Sequence, residues 1–152
     1  MTRQERIVYQ SHTTLLPDAE VIGSAIDDIV ESARRNNERH GLTGALVFSD
    51  GMFMQVLEGP APAVDMAMAR IQEDKRHKDI RILRRETIDS RMFPDKPLAF
   101  VSAATIREAV MGSGKGFSMD ICRLPPDIFA PLLRSLVVPA AMSASSAIKR
   151  SA

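Results

Sequence analysis

Few residues in this chain have side chains suited to reaction chemistry. Tyr9 is the only tyrosine and there is no tryptophan, so any step that draws an electron from a phenol must use Tyr9. Cys122 is the only cysteine, which excludes an internal disulfide and any thiolate metal cluster. His77 lacks a Cys, His or acidic partner at metal-ligand spacing, so no metal is expected there. The stretch Gly112-Ser113-Gly114-Lys115-Gly116 falls short of the full phosphate-loop pattern. No nucleophile–base pair and no nicotinamide-binding signature appears, which argues against an enzyme. The side-chain amides are more informative. Each carries a C=O acceptor and an NH2 donor, so Asn37 or Gln55 can pair with a ligand edge that presents both kinds of atom. Taken singly, each of these residues has a plainer reading. Tyr9 is then a half-buried strand residue, Gln55 the solvent-facing position of a hairpin, and Asn36-Asn37 a fraying helix end. Arg76 and His77 become a solvated helix end favoured by the macrodipole.

The elements that must position these groups can be read from apolar periodicity. Arg6 to Ser11 alternates as a short strand. From Glu20 to Arg39 the apolar positions Val21, Ile22, Ala25, Ile26, Ile29, Val30 and Ala33 recur at three and four, predicting a helix that Gly41 ends. Leu42 to Phe48 and Met52 to Leu57 are apolar runs joined by Ser49-Asp50-Gly51, a hairpin signal. A second amphipathic helix is expected over Ala63 to Glu73, a fourth strand over Ile80 to Ile88 with Ile80, Ile82 and Arg84 on one face, and a fifth over Leu98 to Val101. The order β-α-β-β-α-β-β predicts a ferredoxin-like α+β sandwich with both helices on one sheet face. Helical segments over Ala103 to Met111 and Pro126 to Val137 are expected to cover the other face, and the last dozen residues to fray.

Composition bounds the function further. The chain has 152 residues, 45% of them hydrophobic, and 20 Lys+Arg against 19 Asp+Glu leave a net charge of +1. That is one domain with a real core, and it carries no electrostatic footprint for nucleic acid or an anionic membrane. No apolar run approaches the roughly 20 residues that cross a bilayer, and the charged start MTRQERIVYQ is unlike a secretory signal. A cytoplasmic protein is expected.

Several segments together resemble the BLUF domains, blue-light sensors that use flavin. The matching pieces are IVYQS at 7–11, ARRNNERHGLTGALVFSDG at 33–51, FMQVLEGP at 53–60, IQEDKRH at 71–77 and RMFPD at 91–95, about two-thirds of the chain. The resemblance implies a flavin-binding domain over 1–102 and a helical extension over 103–152. It makes Tyr9 the electron and proton donor to excited flavin, and Gln55 the amide between that tyrosine and the flavin N5/O4 edge. Asn37 then bonds the carbonyl/N3 edge, Asn36 is its neighbour, and Arg70 lies near the C2 carbonyl. Asp74, Arg76 and His77 match the polar cluster toward the ribityl and phosphate end, and FAD is the implied cofactor. Rotation or tautomerisation of Gln55 would change which group faces the ring without moving any backbone.

Departures from the family pattern cluster in one place. After Phe93-Pro94-Asp95 the family commonly has Trp, a small residue and Met, where this chain has Lys96, Pro97 and Leu98. Pro97 removes a ladder donor, so the fifth strand should begin at an edge or a distortion. The loop from Ser11 to Glu20 also runs a few residues longer than in many members. The resulting expectation is a short BLUF photoreceptor that passes its signal to a separate protein partner or through a homo-oligomer interface. The chain is read as having no room for an attached output enzyme. A light-insensitive interaction module is the alternative, and a flavin-dependent or acylphosphatase-like enzyme ranks last.

Overall fold

A computed structural model of the chain describes residues 2–14, 19–49, 51–102, 104–106, 108 and 124–137. The Gly112–Gly116 break, most of the helix expected over Ala103 to Met111, and the tail beyond 137 lie outside the described residues.

Alternating apolar residues build one five-stranded sheet from β1 (Gln4–Thr13), β2 (Thr43–Ser49), β3 (Met52–Pro60), β4 (His77–Thr87) and β5 (Ala99–Ser102). Its order is β4-β1-β3-β2-β5. All pairings are antiparallel except that of β2 with β5, which is parallel. Helices α1 (Ala19–His40) and α2 (Ala61–Glu73) complete the β-α-β-β-α-β-β frame. This is the ferredoxin-like α+β arrangement that the apolar pattern predicts.

Side chains alternate across a strand, so each strand feeds two cores. On one face, Ile7, Tyr9 and Leu57 pack with Val64, Ala67 and Met68 of α2, while Leu46 and Phe53 pack with Ile26 and Val30 of α1. On the other face, Val8, Ala45, Val47, Met54 and Val56 pack with Phe129, Ala130, Leu133 and Val137. Those last four lie on the helix at 126–137, here α3. It covers the far face as the sequence pattern predicts.

The end of α1 has a clear cause. Gly41 takes a left-handed φ of 72°, and the Leu42 N–H donates to the Asn37 carbonyl at 2.8 Å. This is the Schellman closure, which stops the helix and fixes Asn37 one turn before its end. In β2, a Cβ on Gly44 would run into the Val56 carbonyl, so only glycine allows that strand to approach.

Three expectations need correction. β4 begins at His77, three residues before the expected Ile80. β3 continues through Gly59-Pro60, and α2 starts at Ala61, two residues earlier than expected; Pro60 flanks the helix and Pro stands in its first turn, where a missing N–H costs nothing. In β4 the register against β1 slips twice, so Tyr9 opposes Ile82 while Val8 opposes Arg84. The bulge places Arg84 on the far face, where it pairs with Asp127 of α3, and leaves Ile82 44% exposed. Period-two counting cannot anticipate an inserted residue. β5 is an edge strand that begins after Pro97, as a missing ladder donor requires.

Candidate functional site

Between α1, α2 and the sheet lies a cleft of about 660 Å3, counting its open mouth. Tyr9, Leu46, Phe53 and Gln55 form its floor, Ile29, Ser32, Ala33, Asn36 and Asn37 come from α1, and Ala67, Arg70 and Ile71 from α2. Asp74, Arg76 and His77 stand where α2 turns into β4. All eight residues singled out in the sequence, Tyr9, Asn36, Asn37, Gln55, Arg70, Asp74, Arg76 and His77, therefore line one cleft.

The floor follows from register. Tyr9 on β1 sits directly opposite Gln55 on β3, and residues opposite each other in a ladder share a face. Their side chains meet: the Tyr9 hydroxyl donates to Gln55 Oε1. Both are buried. Burial, helped by the nearby Asp74 charge, pushes the Tyr9 phenol well above its ordinary value and keeps it neutral. With Oε1 engaged by the phenol, the Gln55 NH2 is the group left for a ligand.

Asn37 is oriented by a different contact. Its Nδ2 donates to the Pro97 carbonyl at 2.7 Å, which leaves Oδ1 as its free acceptor. Asn36 and Arg70 are half-buried on the facing walls. Among the described residues Arg70 makes no ion pair.

The turn after α2 differs from a solvated helix end. Arg76 grips Asp74 through Nη2 at 2.6 Å and Nε at 2.9 Å, and its backbone N–H adds a third link at 2.9 Å. That hydrogen bonding holds the Asp74 carboxyl below its usual range and the Arg76 guanidinium above its own. His77 opens β4 and is tied down: Nε2 is 2.9 Å from the Ile71 carbonyl and Nδ1 is 2.7 Å from Ser11 Oγ. A carbonyl only accepts, so Nε2 carries the proton and, in the neutral ring, Nδ1 accepts from Ser11. Its ring also meets Phe53 edge-on, with centroids 6.0 Å apart. Among the described residues no group of three or more His, Cys, Asp or Glu side chains is placed to hold a metal ion.

Sequence reasoning missed the apolar walls and Ser11. The signal was present: Ile29, Ala33 and Asn36 recur at four and three, and Arg70 and Ile71 follow Ala67 at three and four, so each set shares a helix face.

The family model described as sensors of blue-light using FAD matches residues 5–99. The chain belongs to the BLUF family. FAD is the cofactor by which this family is defined, and the BLUF domain is a sensor module. Among curated relatives, photoactivated adenylate cyclase subunit alpha of Euglena gracilis is 42% identical over 67 residues, 44% of this chain and 6% of that protein. The chain thus spans less than a tenth of the length of the first curated relatives it matches, 6% and 8%. Two solved BLUF structures share the fold at 26% identity. The dark-state structure of BlrB gives a TM-score of 0.74, covering 92% of this chain and 98% of that one. The photo-activated state of BlsA gives 0.73, covering 86% and 94%. Among the described residues, no helix is long and apolar enough to cross a membrane.

The cleft's own chemistry fits a flavin. A flavin ring needs hydrogen-bond donors at N5, O4 and O2 and an acceptor at N3. The Gln55 amide, the Asn37 oxygen, Asn36 and Arg70 supply both kinds between apolar walls of Ile29, Leu46, Phe53 and Ala67.

Proposed function

We propose that this BLUF chain is a blue-light photoreceptor that binds FAD in the α1–α2 cleft and signals through a light-driven change in the Tyr9–Gln55 hydrogen bond. The observation that carries the reading is that bond itself: a buried phenol donates to a buried amide on the cleft floor. Bound FAD supplies a ring that absorbs blue light and accepts an electron when excited. Tyr9 would give that electron, then its phenolic proton by way of Gln55, and would take both back as soon as the Gln55 amide has rearranged, so that only the hydrogen bonding differs after light. Gln55 meanwhile changes which of its two groups faces the cleft. Asn37 and its neighbour Asn36 hold the ring edge, and Arg70 serves the C2 carbonyl side. Asp74, Arg76 and His77 form the ribityl and phosphate end, with Arg76 already steadied by Asp74. The output passes through β5 and α3 to a separate protein or to another copy of the chain.

The test is a visible spectrum of the purified protein in darkness and just after blue light. A flavin spectrum with a small red shift that relaxes in darkness is expected. Gln55→Leu should keep the flavin and abolish the shift; a shift that persists would remove Gln55 from the mechanism. The second reading, a light-insensitive interaction module, draws on the segment before β5. Lys96 is exposed there, and Leu98 is an aliphatic side chain buried against α1. Protein that stays colourless after saturation with FAD would establish that reading.

A further inference from the structure

On the sheet face away from the cleft, Glu58 has no part in the proposed photochemistry, yet its side chain is among the most buried in the chain, at 0% exposure. It lies on β3 three residues past Gln55. Its Oε2 accepts from Arg6 Nε at 2.7 Å and from the Met92 N–H at 3.0 Å, and its Oε1 accepts from the Phe93 N–H at 2.9 Å. A buried carboxylate taking two successive backbone N–H groups is a fixed docking point for chain that has no ladder of its own. Arg6 prevents the carboxylate from swinging, because its other nitrogens bind Glu86 at 2.9 Å and the Ser90 carbonyl at 3.3 Å.

From that point the irregular segment 92–98 passes from one core to another. Phe93 is buried in the far-face core with Phe129, and Leu98 in the near-face core with Ile26 and Val30. Its carbonyls are then taken in succession. Lys96 accepts from the Gly44 N–H at 3.0 Å, Pro97 from Asn37 Nδ2 at 2.7 Å, and Leu98 from the Arg34 guanidinium at 3.4 Å. The Pro97 carbonyl decides which way the Asn37 amide points, and Asn37 lines the cleft.

We propose that Glu58 is a positioning residue for the cleft, acting through segment 92–98 to hold the Pro97 carbonyl against Asn37 and so keep the Asn37 oxygen facing the ligand. The spectral part of the test rests on the cleft being the flavin site; the exchange part does not. Coupling between two sites is reciprocal, so Asn37→Ala in the full chain should speed hydrogen exchange at the Met92 and Phe93 amides by about fivefold or more, relative to the β1–β3 ladder amides. Unchanged exchange there overturns the proposal.

Glu58→Gln leaves one acceptor where three donors converge. In the FAD-loaded chain it should displace the flavin absorption band in the same direction as Asn37→Ala, and the double variant should move it no further than Asn37→Ala alone. Additive displacements, or an equal displacement from Phe129→Ala, would show general loosening and overturn the proposal. If Glu58→Gln does not fold, the Asn37→Ala exchange result decides alone. If FAD does not bind, the cofactor reading fails while the exchange result still judges the coupling.

Discussion

The cleft floor and the far face of the sheet handle polar groups in opposite ways. On the cleft face Tyr9, Asn37 and Gln55 are buried but each is only partly engaged: Tyr9 and Gln55 hold one another, and Asn37 holds a carbonyl with one end of its amide. On the far face the buried charges are satisfied within the protein, with Arg6 spread over Glu58, Glu86 and the Ser90 carbonyl. Among the described residues no buried side-chain nitrogen or oxygen lacks a partner. A group with spare bonding capacity can bind and switch, whereas a saturated network can only hold. One sheet supports both because side-chain direction reverses at every residue along β1 and β3.

The contrast can be broken most forcefully from the far side. Phe129→Ala removes a fully buried ring from the core under α3 and should cost about 3–5 kcal/mol of stability, measured by denaturant unfolding. The dark flavin band should move less than in Glu58→Gln, and an equal displacement would mean that the far-face core as a whole, not the Glu58 anchor, governs the cleft. Tyr9→Phe is a smaller and opposite perturbation. It deletes one hydrogen bond, worth about 1 kcal/mol, and leaves the aromatic packing in place. Flavin should remain bound and the light-induced shift should be lost, so stability and signal change in inverse proportion to the first case.

The smallest effect concerns pH. The Asp74 carboxyl is held low in the folded chain, chiefly by the Arg76 hydrogen bond. Its contribution to stability is present above the ordinary carboxylate value and disappears as pH falls through the lowered one. Asp74→Asn should therefore flatten the acid limb of the stability curve by under about 1 kcal/mol, the scale of a half-exposed ion pair. An equal loss for the variant and the parent across that limb would remove Asp74 from the account.

Much of this contrast was legible in the sequence. Ile26, Val30 and Ala33 announce one helix stripe and Gly41 its end, and alternation in β1 to β3 separates the two cores. The motif segments also carried the polar lining, because the Asn37-to-His77 spacing survives intact. Two things were not legible. The slips in β4 depend on its pairing with β1, so they moved Arg84 across the sheet without any local signal. Asn37's orientation depends on a carbonyl 60 residues away, and Glu58 on amides more than 30 residues along. Such long-range hydrogen bonds leave no periodicity to read.

Gln55 sits on a strand bonded along both edges, opposite Tyr9 on one side and Leu46 on the other. A strand clamped in this way has little freedom to travel. Under the proposed function, whatever light writes there is stored as the state of one side chain: a single bit, with no deformation of β3 to lock it in. The dark return needs only that side chain to revert, so the record erases itself thermally. Under that function, a cell consulting this protein would read recent illumination and not accumulated dose.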